Sequence, residues 1–200
     1  MRLLLPAIAA MTLLTACNSQ ADAPVPQETR ETVQDKPATQ AHEQIGAKLS
    51  MALLSDGISY RVAGGTETVQ VGFGASQESI ERIAREALGD ETERGSNAEC
   101  GAGPMDFVEY GPLQFNFQNG ALVGWFAQSG SDVATVDGVK PGVTSYAVLE
   151  RELGAKMAEG STLEGEFSYE PHDGGERIGG FVDRDGTILS LNAGVNCFFR

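Results

Sequence analysis

Two dipeptides constrain this chain more than any other feature. Asn119-Gly120 lies between the apolar runs of LQFNFQNGALVGWF, and Asp185-Gly186 lies in the same place within GFVDRDGTILSL. Asn-Gly and Asp-Gly favour a two-residue type I′ turn, because both central residues need positive φ. Each run is therefore expected to fold back as an antiparallel hairpin. A helical pattern precedes each one. Gly74-Ala75-Ser76 introduces QESIERIAREALG, where Ile80, Ile83, Ala84, Ala87 and Leu88 fall on one helical face. Ser76 suits the cap, Glu78 the positive end and Gly89 the stop. Gly142-Val143-Thr144 introduces SYAVLERELG, with Tyr146, Leu149 and Leu153 as the apolar stripe, Thr144 as cap and Gly154 as stop. An acidic polar stretch separates helix from hairpin in both. The chain is thus expected to repeat a helix-plus-hairpin unit, over about 72–128 and again over about 136–200. Ile58 to Val71, interrupted by Gly64-Gly65, reads as a further hairpin, and AKLSMALL before it as a short helix or a strand. Helices laid on one face of an antiparallel sheet make an α+β fold.

The turns also assign sides. With Asn119-Gly120 as a two-residue loop, Phe117 faces Leu122, Phe115 faces Gly124 and Leu113 faces Phe126, on the side expected to pack under a helix. Gln114, Asn116 and Gln118 then share the other side with Val123 and Trp125. In the second hairpin Phe181 and Ile188 align with the inner side, while Val182, Leu189 and Leu191 align with Trp125. Gln114, Asn116, Val123, Trp125, Leu189 and Leu191 form the candidate contact face. Either the segment after Cys197 or the first hairpin covers it, or it is open to a protein partner. A one-residue slip in register would exchange the two faces.

The first residues speak to location. In residues 1–16, MRLLLPAIAAMTLLTA, one basic residue precedes an apolar run too short for an ordinary membrane span, which is the pattern of an export signal. The run ends in Leu14-Thr15-Ala16-Cys17, which resembles the bacterial lipobox. The resemblance implies cleavage before Cys17 and fatty acylation of that cysteine. Stable anchoring takes more than one acyl chain, at roughly 0.8 kcal/mol per buried CH₂. Asn18 follows instead of the Asp that marks inner-membrane retention in enteric bacteria, so the resemblance favours the outer membrane, facing the periplasm. Of three cysteines, Cys100 and Cys197 then remain, and in an oxidising compartment they are expected to pair. A bridge closing a loop of about a hundred residues stabilises by roughly 4–5 kcal/mol on the chain-entropy model. Residues 17–44 hold Pro24, Pro26 and Pro37 among polar residues and read as a disordered tether, with one domain over 45–200. A flexible tether of about 30 residues spans roughly 30 Å.

The formal net charge is −14. Such a surface repels nucleic acid, so no nucleic-acid partner is expected. No cofactor or metal site is expected either. VGFGASQ follows a strand pattern and opens a helix, but Gln77 holds the third glycine position of a dinucleotide fingerprint. Asp183, Asp185 and Glu176 cluster near a turn without EF-hand spacing. His172 in EPHDGG has Ser168 and Tyr169 close in sequence, which leaves open a periplasmic hydrolase using His172 and nearby carboxylates. A small-ligand carrier is a further alternative.

The folded part resembles a family as well. NAECGAGPMDFVEYGPLQFNFQNGALVGW, then TVDGVKPGVT, then a final glycine and cysteine, are similar to small exported bacterial proteins of unassigned function. The tandem helix-plus-sheet arrangement also resembles the β-lactamase-inhibitor-protein and outer-membrane assembly lipoprotein group, over most of residues 58–200. The proline that often follows Leu-Gly in that group is missing after Gly89 and Gly154. Members of the group bind other proteins and are not enzymes. The expectation is a non-enzymatic, lipid-anchored envelope protein acting by protein–protein contact, as scaffold, assembly factor or inhibitor, on an envelope protein.

Overall fold

Three strands and a helix open the structure, a computed structural model that describes residues 49–172 and 174–198. The signal, Cys17, the whole tether and residues 45–48 of the expected domain lie outside the described residues. Strands β1 (Leu49–Leu54), β2 (Gly57–Val62) and β3 (Val69–Gly72) form an antiparallel meander. The described part of AKLSMALL is therefore strand. Helix α1 (Gln77–Leu88) follows, then β4 (Glu93–Asn97), β5 (Met105–Tyr110), β6 (Leu113–Gln118) and β7 (Ala121–Gln128). Helix α2 (Tyr146–Leu153) precedes β8 (Lys156–Met157), β9 (Glu166–Tyr169), β10 (Ile178–Val182) and β11 (Ile188–Gly194). The last eight strands make one antiparallel sheet in the order β4-β5-β6-β7-β11-β10-β9-β8. The chain is α+β, mostly antiparallel sheet with two helices among the described residues.

Local chemistry sets the helix limits. Ser76 Oγ accepts from the Ser79 amide at 3.4 Å, and the Gly89 amide closes α1 on the Arg85 carbonyl. Ile80, Ile83, Ala84 and Ala87 are the buried stripe. The cap of α2 is Ser145, not Thr144, and it makes no side-chain capping bond. Thr144 Oγ1 accepts from the Lys140 amide at 3.0 Å and so fastens the preceding turn. Gly154, at φ 65°, ends α2 in the left-handed region that glycine enters without strain. Each helix is tied to a hairpin tip: the Gln77 amide donates to the Gly120 carbonyl and the Tyr146 amide to the Gly186 carbonyl, both at 2.9 Å.

The hairpins depart from the expected register. Asn119 (φ 53°) and Gly120 (φ 73°) make the type I′ turn, and Phe117 pairs with Leu122. One step on, Asn116 pairs with Gly124, so Val123 is an extra, bulged residue. Phe115 then faces Trp125, not Gly124, and Leu113 faces Ala127, not Phe126. The second tip is a wider loop. Only Gly186 has positive φ there, the Gly186 amide donates to the Asp183 carbonyl, and the Asp183 amide to the Thr187 carbonyl. This is a three-residue loop with a left-handed glycine, not a two-residue turn. Val182 pairs with Ile188 and Phe181 with Ser190, so Leu189 is bulged in its turn.

Both bulges rotate the residues farther from the tip to the opposite side. Trp125 and Leu191 turn inward, and Phe126 and Phe181 turn outward. Tyr110, Leu113, Ala127, Leu191, Gly180 and Phe167 form one continuous inner row through the pairing. Apart from glycine, each of these is buried in the core. Trp125 is fully buried, and its Nε1–H donates to the Leu54 carbonyl at 2.8 Å. The three-stranded sheet is fastened to the larger one there, and to the connection after β7 at Leu53, whose amide donates to the Ala134 carbonyl at 2.9 Å.

Candidate functional site

The helices pack on the inner side, with α1 against β1, β5 and β7 and α2 against β9. Among the described residues, the outer side of the large sheet carries no helix. One row runs across all eight strands: Glu93, Glu109, Gln114, Phe126, Asn192, Gly179, Ser168 and Lys156. A neighbouring row carries Gly95, Phe107, Asn116, Gly124 and Gly194. The last described residues turn back across this side. The Val195 amide donates to the Val123 carbonyl at 2.8 Å. A Cβ at Gly124 would overlap the Val195 carbonyl oxygen, so that crossing needs a residue without one. Phe198 stacks edge-on against Phe126 (centroids 5.9 Å apart) and Phe181 (5.3 Å). All three rings are half-buried, as is Phe107.

The six residues of the expected contact face are thus dispersed. Trp125 and Leu191 are in the core, because the bulges at Val123 and Leu189 reverse the alternation. Asn116 is on the outer side but buried. Its Nδ2 donates to Asn196 Oδ1 (2.8 Å) and the Val195 carbonyl (3.2 Å), and its Oδ1 accepts from Gln114 Nε2. Gln114 and Val123 are half-buried. Leu189 is 44% exposed and lines a groove of about 550 Å³ with Met157, Val182 and the Arg184–Glu164 ion pair. Leu54 at the end of β1 covers Trp125, and Val195 and Asn196, ahead of Cys197 and not after it, cover Asn116. Sequence reasoning missed Phe107, Phe126, Phe181 and Phe198 as outer residues. Gly124 was the available signal, because an isolated glycine in a strand pattern marks a bulge or a close backbone crossing.

Charge is uneven on this side. Glu93 and Glu109 are direct cross-strand partners. Burial, and then the Glu93 charge, push the Glu109 carboxyl above the ordinary range. Like charges directly opposite are destabilising. On the inner side Arg94 binds Glu81 of α1 through both terminal guanidinium nitrogens (2.8 and 3.0 Å) and also pairs with Glu91. The Arg94 hydrogen bond holds the Glu81 carboxyl below its usual range, against the opposing effect of burial.

Cys100 and Cys197 are unbonded thiols in the structure, so the expected bridge is not formed in it. They are nonetheless neighbours. The hydrogen bond between them raises the Cys197 thiol pKa, burial adds to this, and Asn97 Nδ2 reaches Cys197 Sγ at 3.4 Å. His172 is brought to Asp137: His172 Nδ1 lies 3.2 Å from Asp137 Oδ1, which also accepts from the His172 amide at 3.2 Å. Ser168 stands in the outer row, whereas Tyr169 is in the core with its hydroxyl donating to Thr135 Oγ1. Asp183 Oδ1 accepts from the Asp185 and Thr187 amides and organises the second tip. Among the described residues no group of three His, Cys, Asp or Glu side chains could hold a metal ion, and no helix is long and apolar enough to cross a membrane.

The described residues define an α+β protein with one sheet face that none of their helices covers and that carries aromatic rings and amides. No protein-family model matches the chain, and no curated protein sequence or solved structure matches it either.

Proposed function

We propose that the chain is a lipid-anchored protein of the bacterial cell envelope that works by protein–protein contact and not by catalysis. Acylation at Cys17 holds it to the outer membrane, a tether gives it reach, and the outer sheet face meets an envelope protein. The observation that carries this reading is the half-buried cluster of Phe126, Phe181 and Phe198 on the side where the described residues place no helix, with Phe107 in a neighbouring row and Gln114 and Asn192 on either side of Phe126. Aromatic rings set among amides combine apolar area with hydrogen-bonding capacity, the composition favoured at protein interfaces. The face is the relocated successor of the one expected around Trp125.

The body is two tandem helix-plus-sheet units, joined where β7 pairs with β11. Three correspondences support this: the matching amide bonds from Gln77 and Tyr146 to the tip glycines, the matching bulges, and a sheet order that reads inward from both edges. In an oxidising envelope Cys100 and Cys197 form the expected bridge, and their contact supports it.

A photo-crosslinking residue placed at Phe126 or Phe107 in the anchored protein tests the proposal. A discrete adduct at those positions, and none from the α1 exterior at Arg82, is expected. Equal labelling at all three positions defeats the reading. An inhibitor retains function as a soluble fragment starting near Ile45, whereas a scaffold loses it. The His172–Asp137 pair supports a second reading as a periplasmic hydrolase. A His172→Ala change that abolishes a measured hydrolysis without unfolding the protein would favour it.

A further inference from the structure

Residues 195–198 cross the outer side of the large sheet as a strap, and its first half is pinned by hydrogen bonds. The Val195 amide donates to the Val123 carbonyl at 2.8 Å. Asn116 Nδ2 donates to the Val195 carbonyl at 3.2 Å and to Asn196 Oδ1 at 2.8 Å. The crossing is close on both sides. A Cβ at Gly194 would overlap the Val123 carbonyl oxygen, as one at Gly124 would overlap that of Val195. From Cys197 onward, side chains make the contacts among the described residues. Asn97 Nδ2 reaches Cys197 Sγ at 3.4 Å, and the Phe198 ring meets Phe126 and Phe181 edge-on. Fixing one residue's backbone costs about as much as one hydrogen bond returns, and chain ends fray first. These contacts alone therefore hold Phe198 weakly.

One pair of side chains can change that. Cys100 is buried in the connection between β4 and β5, where its carbonyl accepts from the Gly103 amide at 2.9 Å. Cys197, on the strap, is half-buried and lies against it. We propose that Cys100 and Cys197 are the latch of a redox-set strap: the bridged form seats Phe198 against Phe126 and Phe181, and the dithiol form releases it. The chemistry is thiol–disulfide exchange with a disulfide-bearing oxidoreductase. One cysteine thiolate attacks a sulfur of that disulfide and expels the other sulfur as a thiolate. The second cysteine thiolate attacks the resulting mixed disulfide, forms the Cys100–Cys197 bond and expels the remaining thiolate. The pair gives up two electrons and two protons, and the oxidoreductase disulfide becomes a dithiol. A dithiol reductant runs the same steps backwards. The bond sits at the end of the chain, so its effect falls first on residues 195–198, while β5, β6 and β7 keep their ladder in either state. Release takes Phe198 out of the ring cluster and leaves Asn116 Nδ2 without its two partners on the strap. The consequence for partner binding rests on the outer-face reading above: the bridged chain presents three clustered rings there, and the dithiol form two.

The lipid-anchored mature protein with para-fluorophenylalanine in place of Phe126 tests this. Fluorine NMR and amide hydrogen exchange are recorded after oxidation by glutathione disulfide and again after reduction by dithiothreitol. Reduction is expected to shift or split the fluorine resonance, because the Phe198 ring leaves its neighbour. It is also expected to speed exchange at residues 195–198 by about tenfold or more, with the α1 and β5 amides changing by less than about twofold. Cys197→Ser is expected to match the reduced form in both measurements without reductant. Phe198→Ala, bridged, changes the fluorine resonance but keeps the Val195 amide protected, which separates loss of the ring from release of the strap. Three results overturn the proposal: two titratable thiols in the folded, oxidised protein, equal exchange at residues 195–198 in both states, or acceleration spread evenly over α1 and β5. In the last case the bridge is a general stabiliser and no latch. The two readings fail separately. No photo-crosslinked adduct at Phe107 in either state defeats the outer-face contact and leaves the latch standing, whereas equal exchange at residues 195–198 defeats the latch and leaves the contact standing.

Discussion

Replacing Trp125 by phenylalanine removes the indole N–H that fastens β1 to β7 while keeping an aromatic ring in the core. The lost bond to the Leu54 carbonyl is worth about 1 kcal/mol net. The void left by the missing ring atoms adds about another 1 kcal/mol, since the surroundings relax only in part. The expected destabilisation is therefore about 2 kcal/mol. Trp125→Ala is far more severe. A fully buried tryptophan removes about 150–250 Å² from water, worth about 4–6 kcal/mol at 25 cal/mol per Å². That loss rivals the whole stability of an ordinary domain, so the alanine variant is expected to unfold partly or wholly. Urea denaturation of the fragment from about Ile45, followed by far-ultraviolet circular dichroism, measures the first effect as a lower midpoint at unchanged slope. Trp125 is the only tryptophan, so its emission also reports its surroundings directly. Blue-shifted emission resistant to acrylamide quenching is expected. A cost within about 0.5 kcal/mol for both variants, the range of surface positions, would refute the bulged register and return Trp125 to the outer face.

Gly124→Ala places a methyl group against the Val195 carbonyl and is expected to destabilise by about 1–3 kcal/mol, with faster hydrogen exchange at residues 195–198. In protein purified without reductant, thiol titration under denaturing conditions should find no free Cys100 or Cys197, and reduction should lower the urea midpoint. With the pair reduced, the raised Cys197 pKa means that the folded state holds its thiol proton more tightly than the unfolded chain does. Stability then falls as pH rises past the ordinary thiol range of about 8.5, a trend that Cys197→Ser removes. The lowered Glu81 carboxyl works in the opposite direction, contributing stability above about pH 4.3 that is lost as pH falls through its folded value. Arg94→Met should remove that contribution, so the wild-type advantage in melting temperature narrows on acidification.

Helix limits were legible because their causes are local. The stripe of Ile80, Ile83, Ala84 and Ala87, the Ser76 cap and the stops at Gly89 and Gly154 are all set within a few residues. Both hairpin tips were legible for the same reason, though Asp183 widened the second by binding two amides across it. Strands β4 and β8 were not. ERGSN and KM carry no apolar alternation, and they are strands only because a neighbour supplies hydrogen-bond partners. The expected face failed at two residues. Ala121–Gln128 and Ile188–Gly194 both look like unbroken alternation, and nothing nearby says that Val123 and Leu189 stand outside the count.

The sequence by itself determined where the chain turns, where α1 begins and both helices end, and that the product is an α+β body. These depend on backbone preferences that each short segment carries with it. Tertiary structure alone decided which side each strand presents, what covers it, and that Asp137 keeps one oxygen buried without a partner among the described residues. Those outcomes depend on pairings between residues distant in the chain. In a fold with a side-chain period of two, one bulge is enough to exchange the inside for the outside.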